Sequence, residues 1–103
     1  MTTGLEGLAY PQWQPPGRYV QCTNEYLDYE IDWTGWLNTD SIITSQWTAD
    51  QGLILSNESF TPHTASIWVS GGKAGYTYKV VNTITTVIGR ISDKKLIFEI
   101  KSP

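Results

Sequence analysis

Four carboxylates, Glu25, Asp28, Glu30 and Asp32, form the densest group of side chains in the sequence able to do chemistry. Asp28, Glu30 and Asp32 are oxygen ligands of the kind calcium takes. They lack the glycine-containing loop spacing of a calcium site. Their strict alternation with Leu27, Tyr29, Ile31 and Trp33 accounts for them as the solvated face of a strand. As a carboxylate pair they would have a separation near that of a glycosidase, since same-face strand neighbours lie about 7 Å apart by strand rise. No histidine stands near them, and a chain of 103 residues rarely builds the deep pocket such chemistry needs. The single cysteine, Cys22, reads as a small apolar residue, and the single histidine, His63, sits in a loop-like Pro62-His63-Thr64 context. Gly71-Gly72-Lys73-Ala74-Gly75 joins two strands instead of opening a helix, so it is a turn and not a phosphate cradle. HExxH, GxSxG and CxxC are all missing. No catalytic, metal or cofactor site is expected.

Composition bounds the partners. The formal net charge is −3, which argues against sequence-independent binding of DNA or RNA through neutralised phosphates. No apolar run approaches the roughly 20 residues needed to span a bilayer, and Met1-Thr2-Thr3-Gly4-Leu5-Glu6 has no basic segment followed by an apolar one, so it does not read as a secretory signal. One cysteine permits no internal disulfide, and synthesis in a reducing cytoplasm is expected. Charged residues are 17% of the chain and hydrophobic residues 40%, with Thr and Ser filling the difference. Thr, Val, Ile, Tyr and Trp dominate the second half, and these side chains fit a pleated, half-buried surface.

The elements that would position these residues are strands. Tyr26 to Trp33 alternates cleanly, with Leu27, Tyr29, Ile31 and Trp33 on one face. Turns follow at Thr34-Gly35 and Asn38-Thr39-Asp40. Ser41 to Thr48 is the second strand, with Ile43, Ser45 and Trp47 in register; Ile42 and Trp47 are five apart, so both point inward only if the strand carries a bulge. Leu53-Ile54-Leu55 is a short third strand, and Ser66 to Ser70 is another. Tyr76 to about Val87 places Tyr78, Val80, Asn82 and Ile84 on one face. Gly89-Arg90 turns the chain into Lys94 to Lys101, where Leu96, Phe98 and Ile100 share a face. Six or seven short strands and no convincing helical period imply an all-β immunoglobulin or fibronectin-III-like sandwich. Tyr78, just after a glycine turn, sits where such sandwiches place a tyrosine corner.

Residues 1–25 differ in texture. Tyr10-Pro11 and Pro15-Pro16-Gly17 exclude a helix interior or a central strand. Leu5, Leu8, Tyr10, Trp13, Tyr19 and Val20 nevertheless recur through the stretch, unlike a disordered linker. The organisation expected is an extended N-terminal arm over residues 1–25 and a sandwich domain over 26–103. The arm lies either on its own sandwich or on another protein, and its removal is expected to leave the domain folded. Five tryptophans stand in the chain. Trp33 and Trp47 are the core candidates, and Trp68 should point away from Ile67 and Val69. Exposed tryptophans anchor protein interfaces or stack on sugars, or else the arm covers them. Leu8, Tyr10, Trp13, Tyr19 and Trp68 are the candidate partner-binding residues.

The run Leu27-Asp28-Tyr29-Glu30-Ile31-Asp32-Trp33-Thr34-Gly35-Trp36-Leu37, followed by Asp40-Ser41-Ile42 and Ser45-Gln46-Trp47-Thr48, resembles a family of tailed-bacteriophage proteins, the fibre–tail adaptors. The likeness continues through Ala65 to Gly72, Ala74-Gly75, Tyr78, Val80 to Thr86 and Gly89-Arg90, covering about residues 27 to 100. The N-terminal segment does not match, so no docking role passes to Leu8, Tyr10 or Trp13 by family. The resemblance implies a virion structural protein linking tail fibres to the tail tube or its adaptor ring. Tail adaptor or nozzle proteins and the fibre protein are then the expected partners, with several copies around the tail, assembled in the host cytoplasm and binding neither nucleic acid nor membrane.

Sandwich edges that accept a strand suit an interaction protein. Lys73, Lys79, Lys94 and Lys95 oppose the acidic first strand in sign, an asymmetry that would orient docking between identical copies, although exposed pairs add little energy. Two rival readings are a carbohydrate-binding module of a host-recognition device and a capsid decoration protein of similar fold. An enzyme comes last.

Overall fold

A computed structural model describes residues 17–103. In chain order the elements are β1 (Arg18–Cys22), β2 (Tyr26–Asp32), a single helical turn α1 (Thr34–Leu37), β3 (Ile42–Ala49), β4 (Leu53–Phe60), β5 (Thr64–Gly71), β6 (Thr77–Thr86) and β7 (Ile91–Lys101). They form a four-stranded sheet in the order β1-β7-β6-β3 and a three-stranded sheet in the order β2-β5-β4. Strand β1 runs parallel to β7, and the other pairings are antiparallel. Two sheets face to face is the immunoglobulin-type sandwich that the alternating pattern requires.

Period-two patterning fills the space between the sheets. Ile67 and Val69 on β5, Val80 and Ile84 on β6, and Leu96, Phe98 and Ile100 on β7 are all buried there. Full burial of such side chains stabilises by about 1.5–3 kcal/mol each before conformational entropy is counted. Two polar networks cross the core. Trp33 donates from Nε1 to Asn82 Oδ1 at 3.0 Å, and Asn82 Nδ2 donates to Ser45 Oγ at 2.9 Å and to the Gln46 carbonyl at 3.1 Å. Gln21, also buried, donates to the Val69 carbonyl at 2.9 Å and accepts from the Tyr29 hydroxyl at 2.6 Å, tying the β1 edge to the opposite sheet. The Tyr78 hydroxyl accepts the Lys73 amide at 2.8 Å, the contact a tyrosine corner makes five residues upstream.

The structure departs from the sequence reading at three places. Arg18–Cys22, inside the stretch expected to be an arm, is a strand of the sandwich, paired with Ile97–Lys101. Ile43 is not in register with Ser45 and Trp47: the bulge falls between Ile42 and Thr44, so Ile42 is buried while Ile43 faces solvent. Strand β4 continues past Leu55 to Phe60 through a shift at Ser56–Ser59, where Asn57 takes φ 49°, a left-handed value that Asn tolerates better than most residues.

Candidate partner-binding end of the sandwich

Three connections meet at one end of the molecule: α1 and its flanks between β2 and β3, the Thr61–His63 turn between β4 and β5, and the Val87–Arg90 turn between β6 and β7. Backbone bonds join them. Trp33 N–H donates to the His63 carbonyl, Ile42 N–H to the Pro62 carbonyl and Val87 N–H to the Ser41 carbonyl, each at 2.9 Å. Asp32 opens α1 by accepting from the Thr34 hydroxyl at 2.6 Å and its amide at 3.0 Å. These two donors, the hydroxyl foremost, hold the Asp32 carboxyl below its ordinary range.

Arg90 fastens the end together. Its guanidinium reaches Asp40 Oδ2 from Nε at 3.1 Å and from Nη2 at 3.0 Å, and Nη2 also donates to the Leu37 carbonyl at 2.9 Å. The same plane lies 4.3 Å from the Trp36 ring centroid, a cation–π distance, and Trp36 meets Trp33 edge-on at 5.5 Å. Asp40 accepts the Ser41 amide at 2.8 Å and the Ile88 amide at 3.4 Å. Burial opposes its ionisation, but hydrogen bonds from Thr86, Ser41, Arg90 and Ile88 prevail and hold the carboxyl below its ordinary range. One buried carboxylate therefore anchors both α1 and the β6–β7 turn.

That frame presents apolar side chains to solvent. Ile88, Ile91 and Val87 are 72%, 69% and 62% exposed, the highest values among the large hydrophobics described, and Ile43 (51%) and Trp36 (38%) lie at the same end. The turn itself explains the display. Gly89 N–H closes on the Thr86 carbonyl at 2.9 Å, and Gly89 takes φ 95°, leaving Val87 and Ile88 at the tip with no opposite strand to cover them. Exposed apolar side chains gathered at one end on a rigid support make that end the candidate contact site. The sequence carries the signal as two β-branched residues standing immediately before the turn glycine, at positions where turns are usually polar.

The residues singled out from sequence are not brought together. Leu8, Tyr10 and Trp13 lie outside the described residues. Tyr19 is half-buried, its ring 4.9 Å from Tyr29 and 5.5 Å from Phe98, so it faces the core of the sandwich. Trp68 stands on the outer face of the three-stranded sheet, opposite in direction to Ile67 and Val69 as expected, and packs 4.8 Å from Tyr26. The Tyr26 hydroxyl accepts from Asn57 Nδ2 at 2.7 Å. Cys22, half-buried on β1, pairs in register with Lys101 at the end far from His63. No three His, Cys, Asp or Glu side chains come together as a metal set among the described residues.

A family model described as podophage GP4 fiber-tail adaptor protein gp77 matches residues 22–99. Among solved structures, the titin Ig tandem domains superpose with a TM-score of 0.52 over 91% of this chain at 16% sequence identity. This chain spans 48% of that one, about half its length, and likeness at so low an identity speaks to the fold alone. No curated protein sequence matches.

Proposed function

Since this chain belongs to the podophage fiber-tail adaptor family, we propose that it is a non-catalytic virion protein joining tail fibres to the tail through protein–protein contacts. Tail adaptor or nozzle proteins are its partners on one side and the fibre protein on the other, with several copies around the tail and assembly in the host cytoplasm. Contacts with nucleic acid or membrane have no part in this role.

The observation that carries the reading is the end patch of Trp36, Ile43, Val87, Ile88 and Ile91. A joint must hold its contact residues still before the partner arrives, because ordering them on binding costs about 0.5–1.5 kcal/mol per side chain. The Arg90–Asp40 pair and the Thr86–Arg90 turn bonds do that work here. Burying Ile88 and Ile91 against a partner supplies about 1.5–3 kcal/mol each, enough to make them dominant contacts in an interface of ordinary size.

Replacing Ile88→Asp and Ile91→Asp together tests this. Both side chains are solvent-exposed, so the melting temperature should stay near that of the wild type. Particles assembled with the variant should lose either this protein or their fibres. Particles that keep wild-type amounts of both would refute the assignment of this end.

A further inference from the structure

The two sheets carry opposite charge. Strands β2, β4 and β5 hold Asp28, Glu30, Asp32 and Glu58 and no Lys or Arg. Strands β1, β6 and β7 hold Arg18, Lys79, Lys94, Lys95 and Lys101 against Asp93 and Glu99, and β3 carries no charge. Alternation fixes which way most of these point. Tyr78, Val80, Leu96 and Phe98 are buried, so Lys79, Lys95 and Ile97 lie on the outer face. Register aligns Arg18, Ile97 and Lys79 in one row across three strands, and pairs Lys95 with Val81 in the next row along β7. On the opposite side of the molecule, register places Trp68 between Asp28 and Ser56.

Little of this charge is neutralised internally. The salt bridges among the described residues are Arg90–Asp40 and Lys101–Glu99, and neither involves Arg18, Lys79, Lys95 or the β2 carboxylates. Asp93 and Glu99 share the outer face of β7, with Glu99 paired with Lys101. Arg18, Lys79 and Lys95 therefore leave that face net basic with apolar Val81 and Ile97 in it, and the other face is acidic around an aromatic pair, Tyr26 and Trp68. The two are complementary in sign, and an aromatic ring also attracts Lys and Arg.

We propose that copies of this chain associate head to tail, the outer face of the four-stranded sheet of one copy against the outer face of the three-stranded sheet of the next. The geometry selects this mode over a two-fold dimer. A two-fold contact apposes a surface with itself, which would bring acid to acid or base to base, whereas opposite faces of one molecule meet only in a heterologous contact that closes into a ring or runs on. The contact goes beyond the fibre and tail contacts of the adaptor role and does not depend on them.

Light scattering on the purified full chain tests it without any tail protein. The wild type should gain mass with concentration at low ionic strength and return to monomer in about 1 M salt, where the Debye length is about 3 Å. Two variants sharpen the test: one with Asp28→Lys and Glu30→Lys, the other with Lys79→Glu and Lys95→Glu. All four side chains are exposed, and circular dichroism checks that both variants fold. Each should be monomeric alone because its two faces then repel, and mixing the two should restore association. A wild type that stays monomeric at low salt, or variants that do not associate when mixed, would overturn the proposal. The β2 carboxylates would then serve only to keep an exposed edge strand from pairing.

Discussion

Trp33 and Asn82 offer the sharpest test of how the end patch is supported, because Trp33 lies beneath Trp36 and its indole N–H is held in the core by Asn82 Oδ1 at 3.0 Å. Replacing Asn82→Leu keeps the branching of the side chain, at a larger volume, and removes the acceptor. The buried indole N–H then lacks a partner, which costs about 1–3 kcal/mol, and two further bonds, to Ser45 and Gln46, are lost at roughly 1 kcal/mol net each. The single variant should therefore lose about 3–5 kcal/mol, a large share of the 5–15 kcal/mol typical of a domain. Its melting temperature should fall by about 15–25 °C at this chain length. Trp33→Phe removes the donor instead and leaves Asn82 Oδ1 unsatisfied. When both partners of the indole bond are gone neither is left orphaned, so the double variant should be less destabilised than the sum of the singles by about 1–3 kcal/mol. Urea denaturation followed by circular dichroism measures all four proteins. Strict additivity would refute the reasoning, since it would mean that the hydrogen bond contributes nothing beyond the packing of two separate side chains.

Two other outcomes follow from the same contacts. Asp40 and Asp32 both hold carboxyls below their ordinary value of 3.8; a depressed value gives stability that is full above the unfolded value and lost as pH falls through the folded one. Stability should therefore drop as pH falls below about 4, and Asp40→Asn should flatten that part of the urea-midpoint profile; an unchanged profile would count against the Arg90–Asp40 anchor. Deleting residues 1–25 removes β1 with Tyr19 and Gln21 and should cost roughly 3 kcal/mol or more relative to a truncation of residues 1–16, which keeps β1. Equal melting temperatures for the two truncations would show β1 to be dispensable.

The parts of the fold legible in the sequence are those where a buried face imposes a period. Leu27 to Trp33, Tyr78 to Ile84 and Leu96 to Ile100 alternate because every second side chain enters the core, and the fivefold spacing of Ile42 and Trp47 disclosed the bulge in β3. Strand β1 was hidden because it is short, follows prolines and glycine, and buries a polar residue, Gln21, between Tyr19 and Cys22. The second half of β4 was hidden because Ser56-Asn57-Glu58-Ser59 has no apolar face to read. The site was less legible than the core. Composition cannot say whether a tryptophan is covered, and the aromatic residues drew attention to Tyr19, which faces inward. Val87, Ile88 and Ile91 have the residue type of a core, and only the geometry of the turn turns them outward.

The apolar end of the sandwich is the surface proposed to hold a tail or fibre protein. Placing a photoreactive amino acid at position 88 in assembled particles, and identifying by mass spectrometry what it captures, tests that claim most directly. Capture of a tail or fibre protein is the expected result; capture of capsid protein alone, or particles that lack this chain altogether, would contradict the account.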